Sequence, residues 1–158
     1  MTTAIVITVS TRAAGGVYDD AAGPVVAQML RDVGFDVGDI IVIPDGRQEI
    51  ADTIRAAAAK AALVITNGGT GLTPGDLTPE ATADVVDRVV PGMAEMMRAA
   101  SFAVTPMAAL SRAIVGTLGA SLVINLPGSP KAAGENLSAV LPVLEHAIAQ
   151  LHGGDHPR

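Results

Sequence analysis

Neither cysteine nor tryptophan occurs anywhere in the chain. The missing thiols exclude disulfides, thiolate metal sites and a cysteine nucleophile together. Aromatic residues are nearly as scarce, with only Tyr18, Phe35 and Phe102, too few to build a base-stacking groove for single-stranded nucleic acid. Positive charge is also short: ten Lys and Arg stand against sixteen Asp and Glu, for a net charge of −6 and a pI near 4.8. Such a field repels a polyanion, so no nucleic-acid partner is expected. The three histidines, His146, His152 and His156, all lie at the end of the sequence, away from every candidate loop, which leaves no obvious histidine base. Covalent catalysis therefore has few candidates. No run approaches the roughly 20 apolar residues of a membrane span, and the opening Met1-Thr-Thr3 lacks the basic stretch of a signal peptide. The expected location is the cytoplasm, with no membrane partner.

The apolar half of the composition, 49%, is carried by Ala, Val, Leu and Ile. A chain of 158 residues can bury roughly 68 to 70% of its unfolded surface without staples, so residues 1–158 are read as a single domain with no linker or repeat.

The β-branched run Ala4 to Ser10 reads as a strand opening onto a loop at Thr11–Gly16. Asp19 or Asp20 then caps a helix that has Pro24 in its first turn and Val25, Val26, Met29, Leu30 and Val33 at helical spacing, and Gly34 stops it. Residues Phe35 to Ile43 predict a second strand, and Ile50, Ile54, Ala57, Ala58 and Ala61 a second helix. Leu63 to Thr66 predicts a third strand. Thr78-Pro-Glu-Ala81 begins a helix with Thr78 as its cap, ended by Val90-Pro-Gly92, and Met93 to Phe102 is helical again. Ala113–Leu118 and Ser121–Leu126 pair across Gly119-Ala120, and Ser129 to Leu151 closes the chain as a helix before a frayed tail at 152–158. Alternating strands and helices mean right-handed βαβ units and a mostly parallel sheet, here with one antiparallel edge. Ligands bind such sheets beyond the carboxyl ends of the strands.

The strongest local signal is Asn67-Gly-Gly-Thr-Gly-Leu-Thr-Pro-Gly-Asp-Leu-Thr-Pro-Glu80, a loop between a strand and a helix. Its glycines let backbone N–H groups converge on an anion, and its threonines add donors. Asp76 is the one carboxylate within it, and a carboxylate beside a phosphate repels unless a cation lies between, which points to Mg²⁺. The plainer reading is a glycine turn capped by Asp76. The loop matches neither the P-loop nor the dinucleotide pattern, since Pro74 stands where the third glycine would be. Asp45, in Ile-Pro-Asp-Gly46, follows a strand and can share the same edge, or simply form the turn. Asn125-Leu-Pro-Gly-Ser-Pro-Lys131 and Ser111-Arg112 are further strand-end candidates, or a capped connection and a solvated arginine. Met93, Met96 and Met97 read as core or subunit seam. Positioning and electrostatics on a phosphoryl group, with metal assistance, are what these residues can supply.

Taken in order, Thr8-Val-Ser10, Gly16-Val-Tyr-Asp-Asp20, Ile43-Pro-Asp45, Gly68 through Ala81, Leu110-Ser-Arg112 and Asn125 through Pro130 closely resemble the MogA/MoaB family of molybdenum-cofactor biosynthesis, and within it the molybdopterin adenylyltransferases. The resemblance spans nearly the whole chain. It implies a three-layer αβα sandwich, a homotrimer, and transfer of AMP from Mg-ATP to molybdopterin with release of pyrophosphate to solution and of product to a molybdate-inserting partner enzyme. Carried over by motif, Asp45 and Asp76 are the catalytic carboxylates acting through Mg²⁺. Gly68, Gly69, Thr70 and Gly71 cradle phosphate, and Ser10, Ser111, Arg112, Pro127, Gly128 and Ser129 line the same pocket. Two positions depart from the pattern: Thr11-Arg12 stands where many relatives have an acidic residue after the serine, and Gly75 where many have arginine, so either Arg12 or Lys131 compensates or ligand binding is weaker. A molybdopterin-binding carrier or assembly module without transferase activity is the alternative. The two carboxylates favour the enzyme, because capture of an anion gains nothing from them.

Overall fold

The computed structural model describes residues 1–154; the end of the expected tail, including His156, lies outside the described residues. The chain runs β1 (Thr3–Val9), α1 (Thr11–Ala14), α2 (Ala22–Asp32), β2 (Asp36–Val37), β3 (Ile41–Ile43), α3 (Arg47–Ala58), β4 (Leu63–Asn67), α4 (Thr78–Ala83), β5 (Arg88–Val89), α5 (Pro91–Phe102), a 3-10 turn (Pro106–Leu110), β6 (Val115–Leu118), β7 (Ser121–Leu126) and α6 (Pro130–Leu151). The sheet order is β2-β1-β4-β7-β6-β5, with β3 also paired to β1. Pairing is parallel from the β2 edge through β7 and antiparallel from β7 to β5, so the expected mixed sheet with one antiparallel edge is present.

Strand alternation divides the core in two. Ala4, Val6, Leu63, Ile65, Leu122 and Ile124 face α2, α5 and α6, while Ile7, Val9, Val64 and Val123 face α3 and α4. Both faces of the central strands are therefore apolar, as helix cover on both sides of a parallel sheet requires. The three layers follow from this.

Three expectations need correction. The strand predicted over 35–43 is broken: Thr3 pairs with Asp36 but Ile7 with Ile41, so four steps along β1 match five along the edge. The extra residue bulges because Arg31 of α2 takes the Val37 carbonyl at 2.9 Å and the Gly38 carbonyl at 3.2 Å away from the ladder. The helix after Thr78 stops at Ala83, and Arg88–Val89 forms an edge strand that the sequence did not announce. Thr78 is not a cap, since it lies inside the first turn and its buried hydroxyl has no hydrogen-bond partner. The methionine reading holds for two of its three residues: Met93 and Met97 belong to this chain's own core, and Met96 is exposed.

The antiparallel edge also contains a tight crossing. A Cβ on Gly116 would lie 2.7 Å from Val86 Cγ1 and 2.9 Å from the Arg88 carbonyl oxygen. Gly116→Ala is expected to lower unfolding free energy by about 1 to 3 kcal/mol through overpacking, whereas Gly92→Ala, which meets open space, should lose nothing. Urea denaturation of both variants checks this.

Candidate functional site

Because β1, β3, β4 and β7 run parallel, their carboxyl ends open on the same side, and the segments that follow them meet there. They enclose a cavity of about 500 Å³ lined by residues that include Ser10, Arg12, Tyr18, Asp20, Asp45, Asn67, Gly68, Gly69, Asp76 and Gly128.

The glycine loop makes this closeness possible. Gly68 and Gly69 both have positive φ, 100° and 67°, a region that costs other L-residues about 1 to 2 kcal/mol. The Gly68 N–H donates to the Leu126 carbonyl at 3.0 Å, and a Cβ at Gly68 would overlap the Val9 carbonyl oxygen. A Cβ at Gly69 would overlap the Thr78 hydroxyl and sit 3.4 Å from Asp45 Oδ1. The loop after β4 thus touches both the end of β1 and the segment after β3.

Asp45 Oδ2 accepts from the Thr11 hydroxyl at 2.8 Å, and the Asp45 amide donates back to Thr11 Oγ1 at 3.0 Å. Asp76 Oδ2 accepts from the Thr73 amide at 3.2 Å, closing a short turn whose other bond is Asp76 N–H to the Thr73 carbonyl, 2.8 Å. Each carboxylate keeps its Oδ1 without a hydrogen bond among the described residues. Asp20 differs, since Oδ1 accepts from the Gly23 amide at 3.0 Å and Oδ2 from the Thr8 hydroxyl at 2.7 Å. With its hydrogen spent on Asp20, the Thr8 oxygen accepts from Asn67 Nδ2 at 3.1 Å. Asp20, Thr8 and Asn67 therefore tie α2, β1 and β4 together beneath the cavity. Each of the three stood in a sequence motif, Asp20 as a cap whose carboxylate does accept from an amide in the first turn of α2, but the hydrogen bonds that link them had no sequence signal.

The other sequence candidates divide. Ser10 caps α1 through the Ala13 amide at 3.2 Å and lies 3.1 Å from the Tyr18 hydroxyl, within the cavity. Ser129 caps α6, accepting from the Ala132 amide at 3.2 Å. Thr70, Gly71, Ser111 and Pro127 do not line the cavity of the carboxylates. They line a second, apolar cavity of about 250 Å³ on the other limb of the loop, beside Met107 and Leu110. The expectation of one shared pocket is corrected to this extent.

Arg112 lines neither cavity. Its Nε donates to the Gly71 carbonyl at 2.8 Å, Nη2 to the Asp76 carbonyl at 2.7 Å, and Nη1 pairs with Glu80. Hydrogen bonding from Arg112 holds the Glu80 carboxyl below the usual carboxylate range. Arg47, two residues from Asp45, turns to Asp84 in a two-bond pair at 2.7 Å each; that pair raises Arg47 and lowers Asp84. Lys131 is 79% exposed and 4.0 Å from Glu135. Of the two proposed compensating cations, Arg12 alone lines the cavity.

With this geometry in view, the chain matches, over residues 5–146, the family described as "Probable molybdopterin binding domain". The chain belongs to this family. It is 41% identical over 154 residues to the "Molybdenum cofactor biosynthesis bifunctional protein" of Synechococcus elongatus, covering 97% of this chain but 48% of that protein, so it spans about half of that relative's length. It is 35% identical to the "Molybdopterin adenylyltransferase" of Helicobacter pylori, with 94% and 86% covered. The crystal structure of the molybdopterin biosynthesis enzyme MoaB from Thermus thermophilus superposes with a TM-score of 0.89 at 44% identity, over 97% of this chain and 98% of that one. The MogA/MoaB resemblance read from the motifs is borne out.

Two stability predictions follow from the loop. Gly69→Ala should cost about 2 to 4 kcal/mol, combining left-handed strain with the clash on Thr78. In a Thr78→Ala background, which removes that hydroxyl without breaking a hydrogen bond, the same change should cost only about 1 to 2 kcal/mol; equal costs in both backgrounds would refute the contact. For Glu80, a carboxyl depressed on folding stabilises above its unfolded pKa and loses that contribution as pH falls through the lower folded value. Glu80→Gln should therefore lower Tm at pH 7, with the difference from wild type shrinking below about pH 4 in calorimetric scans.

Proposed function

We propose that this chain is a molybdopterin adenylyltransferase of molybdenum cofactor biosynthesis, transferring AMP from Mg-ATP to the molybdopterin phosphate. The observation that carries the reading is the charge of the main cavity: Asp19, Asp20, Asp45 and Asp76 line it with Arg12 as the sole Lys or Arg. Such a cavity repels phosphates by itself and accepts them together with a divalent cation. Its donor set fits Mg²⁺, which is bound through one or two carboxylates plus substrate phosphates and retains water. No group of three or more metal-binding side chains occurs among the described residues, so the ligand's own oxygens have to complete the shell.

Asp45 and Asp76, each with an uncommitted oxygen, would hold the ion, whose chemistry when bound is to neutralise phosphate charge. The glycine loop admits the phosphates to close range of the backbone, and Arg12 offsets the carboxylates on the β1 side. A terminal phosphate oxygen of molybdopterin attacks the α-phosphorus of ATP, a new P–O bond forms, and the bond to the pyrophosphate oxygen breaks with its electron pair. A molybdate-inserting enzyme is the proposed next partner, and the cytoplasm the proposed site of the reaction. A ligand touching residues of both cavities has to lie across the glycine loop. The proposed assembly is a homotrimer, supported by the apolar exposure of Phe102, Val104, Met107 and Leu110 along the end of α5 and the turn after it.

The purified protein, given molybdopterin and Mg-ATP, should release pyrophosphate and yield an adenylylated pterin, and ATP alone should give neither. Asp76→Asn keeps the size of the side chain but loses the charge that holds the ion. Transfer should fall about a hundredfold or more, while pterin affinity changes little. Near wild-type turnover would end the catalytic assignment, and tight pterin binding with no pyrophosphate from the wild type would leave the carrier in its place. Light scattering at micromolar concentration should give the mass of three chains; a monomer mass refutes the trimer.

A further inference from the structure

The segment from Gly71 to Leu77 carries Asp76 into the main cavity, yet it forms neither helix nor strand. Among the described residues its internal hydrogen bonds are the two between Thr73 and Asp76. Arg112, outside it, makes two more within it and a third to Thr70 just before it. The Arg112 amide donates to the Thr70 carbonyl at 2.9 Å, its Nε to Gly71 and its Nη2 to Asp76. One guanidinium therefore grips both limbs of the loop. Glu80, in the first turn of α4, takes Nη1 and fixes the plane of the fork. The grip is close to Asp76 in the most direct way, since the carbonyl it holds belongs to Asp76 itself, and the Asp76 carboxylate is oriented by the turn that this carbonyl ends.

We propose that Arg112 is a positioning residue for adenylyl transfer, acting through the backbone of Asp76 rather than on the phosphates. This rests on the transferase reading above. The sequence pattern places Arg112 among the ligand contacts, where its charge would attract the phosphates. Three of its five N–H groups, one on each nitrogen, donate to protein oxygens instead, and its side chain is absent from the lining of both cavities. Lysine cannot replace such a fork, because one ammonium on a flexible stem cannot meet acceptors spread along a planar edge. Misplacement of a reacting group by about 1 Å is enough to cost about a hundredfold in rate, so a loosened loop acts on turnover before it acts on affinity.

The test compares wild type, Arg112→Lys, Asp76→Asn and the double variant, measuring pyrophosphate release and amide exchange on the same samples. Arg112→Lys should lower kcat about tenfold or more with KM for molybdopterin within about twofold, and amides in 71–77 should exchange faster while those of β4 and β7 stay protected. In the Asp76→Asn background, Arg112→Lys should cause no further loss of transfer, because the group it positions is already disabled. Should Arg112→Lys not fold, Glu80→Ala, which frees the fork without removing it, should show the same kcat loss to a smaller degree and the same disappearance in the Asp76→Asn background. Additive losses, a change confined to KM, or unaltered exchange in the loop would overturn the proposal. A wild type that releases no pyrophosphate would instead refute the transferase reading on which it rests.

Discussion

The crossing at Gly68 sets the rest of the site. Its amide bonds the Leu126 carbonyl, the absence of a Cβ admits the Val9 carbonyl, and a Cβ on Gly128 would already stand 3.4 Å from its Cα. The carboxyl ends of β1, β4 and β7 are held together at this point, and parallel pairing of these strands brings their following segments to one side. A larger residue would push the loop off β1 and open the wall between the two cavities. The polar core beneath continues the same constraint. Asn125 reaches Thr66 at 3.0 Å and Thr82 at 2.9 Å, joining β7, β4 and α4 where apolar packing alone would leave register less defined.

The electrostatics of the cavity depend on where the nearby cations are spent. Arg47 is held by Asp84, Arg112 by the loop and Glu80, and Lys131 stays at the surface. Arg12 is left with four aspartates. Like charges repel in inverse proportion to their separation, weakened by solvent, so an anion entering without a cation is opposed by the four aspartates and favoured by Arg12. Under the proposed transferase reading, phosphate and divalent ion would bind as a unit, so that an acidic cavity could take a phosphorylated ligand without a basic patch.

Much of this was legible because it depends on local chemistry. The hydrophobic period gave β1, β4 and α6 within a residue or two and α3 within three, and the glycines of the loop announced a backbone that only they can adopt. The split at Gly38 was not legible, since it depends on Arg31 reaching across from α2, nor was β5, two residues paired only by virtue of β6. Motif order brought Asp45, Asp76, Ser10, Gly68, Gly69 and Gly128 to one cavity. It did not separate Thr70, Gly71, Ser111 and Pro127, which line the second cavity, or Arg112 and Ser129, which line neither, for a physical reason: a strand-end position specifies the side of the sheet, but which limb of a loop the residue faces depends on tertiary packing.

Residues of the same charge around this loop differ in what remains of their bonding capacity. Asp20 has both oxygens hydrogen-bonded, one to the α2 amide and one to Thr8, so rotating it toward a cation would break a helix cap and a buried hydroxyl's bond, each at a cost of about 1 kcal/mol or more. Asp45 and Asp76 spend one oxygen each, on Thr11 and Thr73, which orients the carboxylate while leaving the other oxygen open. Arg112 is drawn mainly to protein, three of its five N–H groups donating to Gly71, Asp76 and Glu80. The division between structural and reactive groups here follows from counting satisfied lone pairs and N–H groups. Sequence supplies the identities of those groups, and only the fold supplies the count.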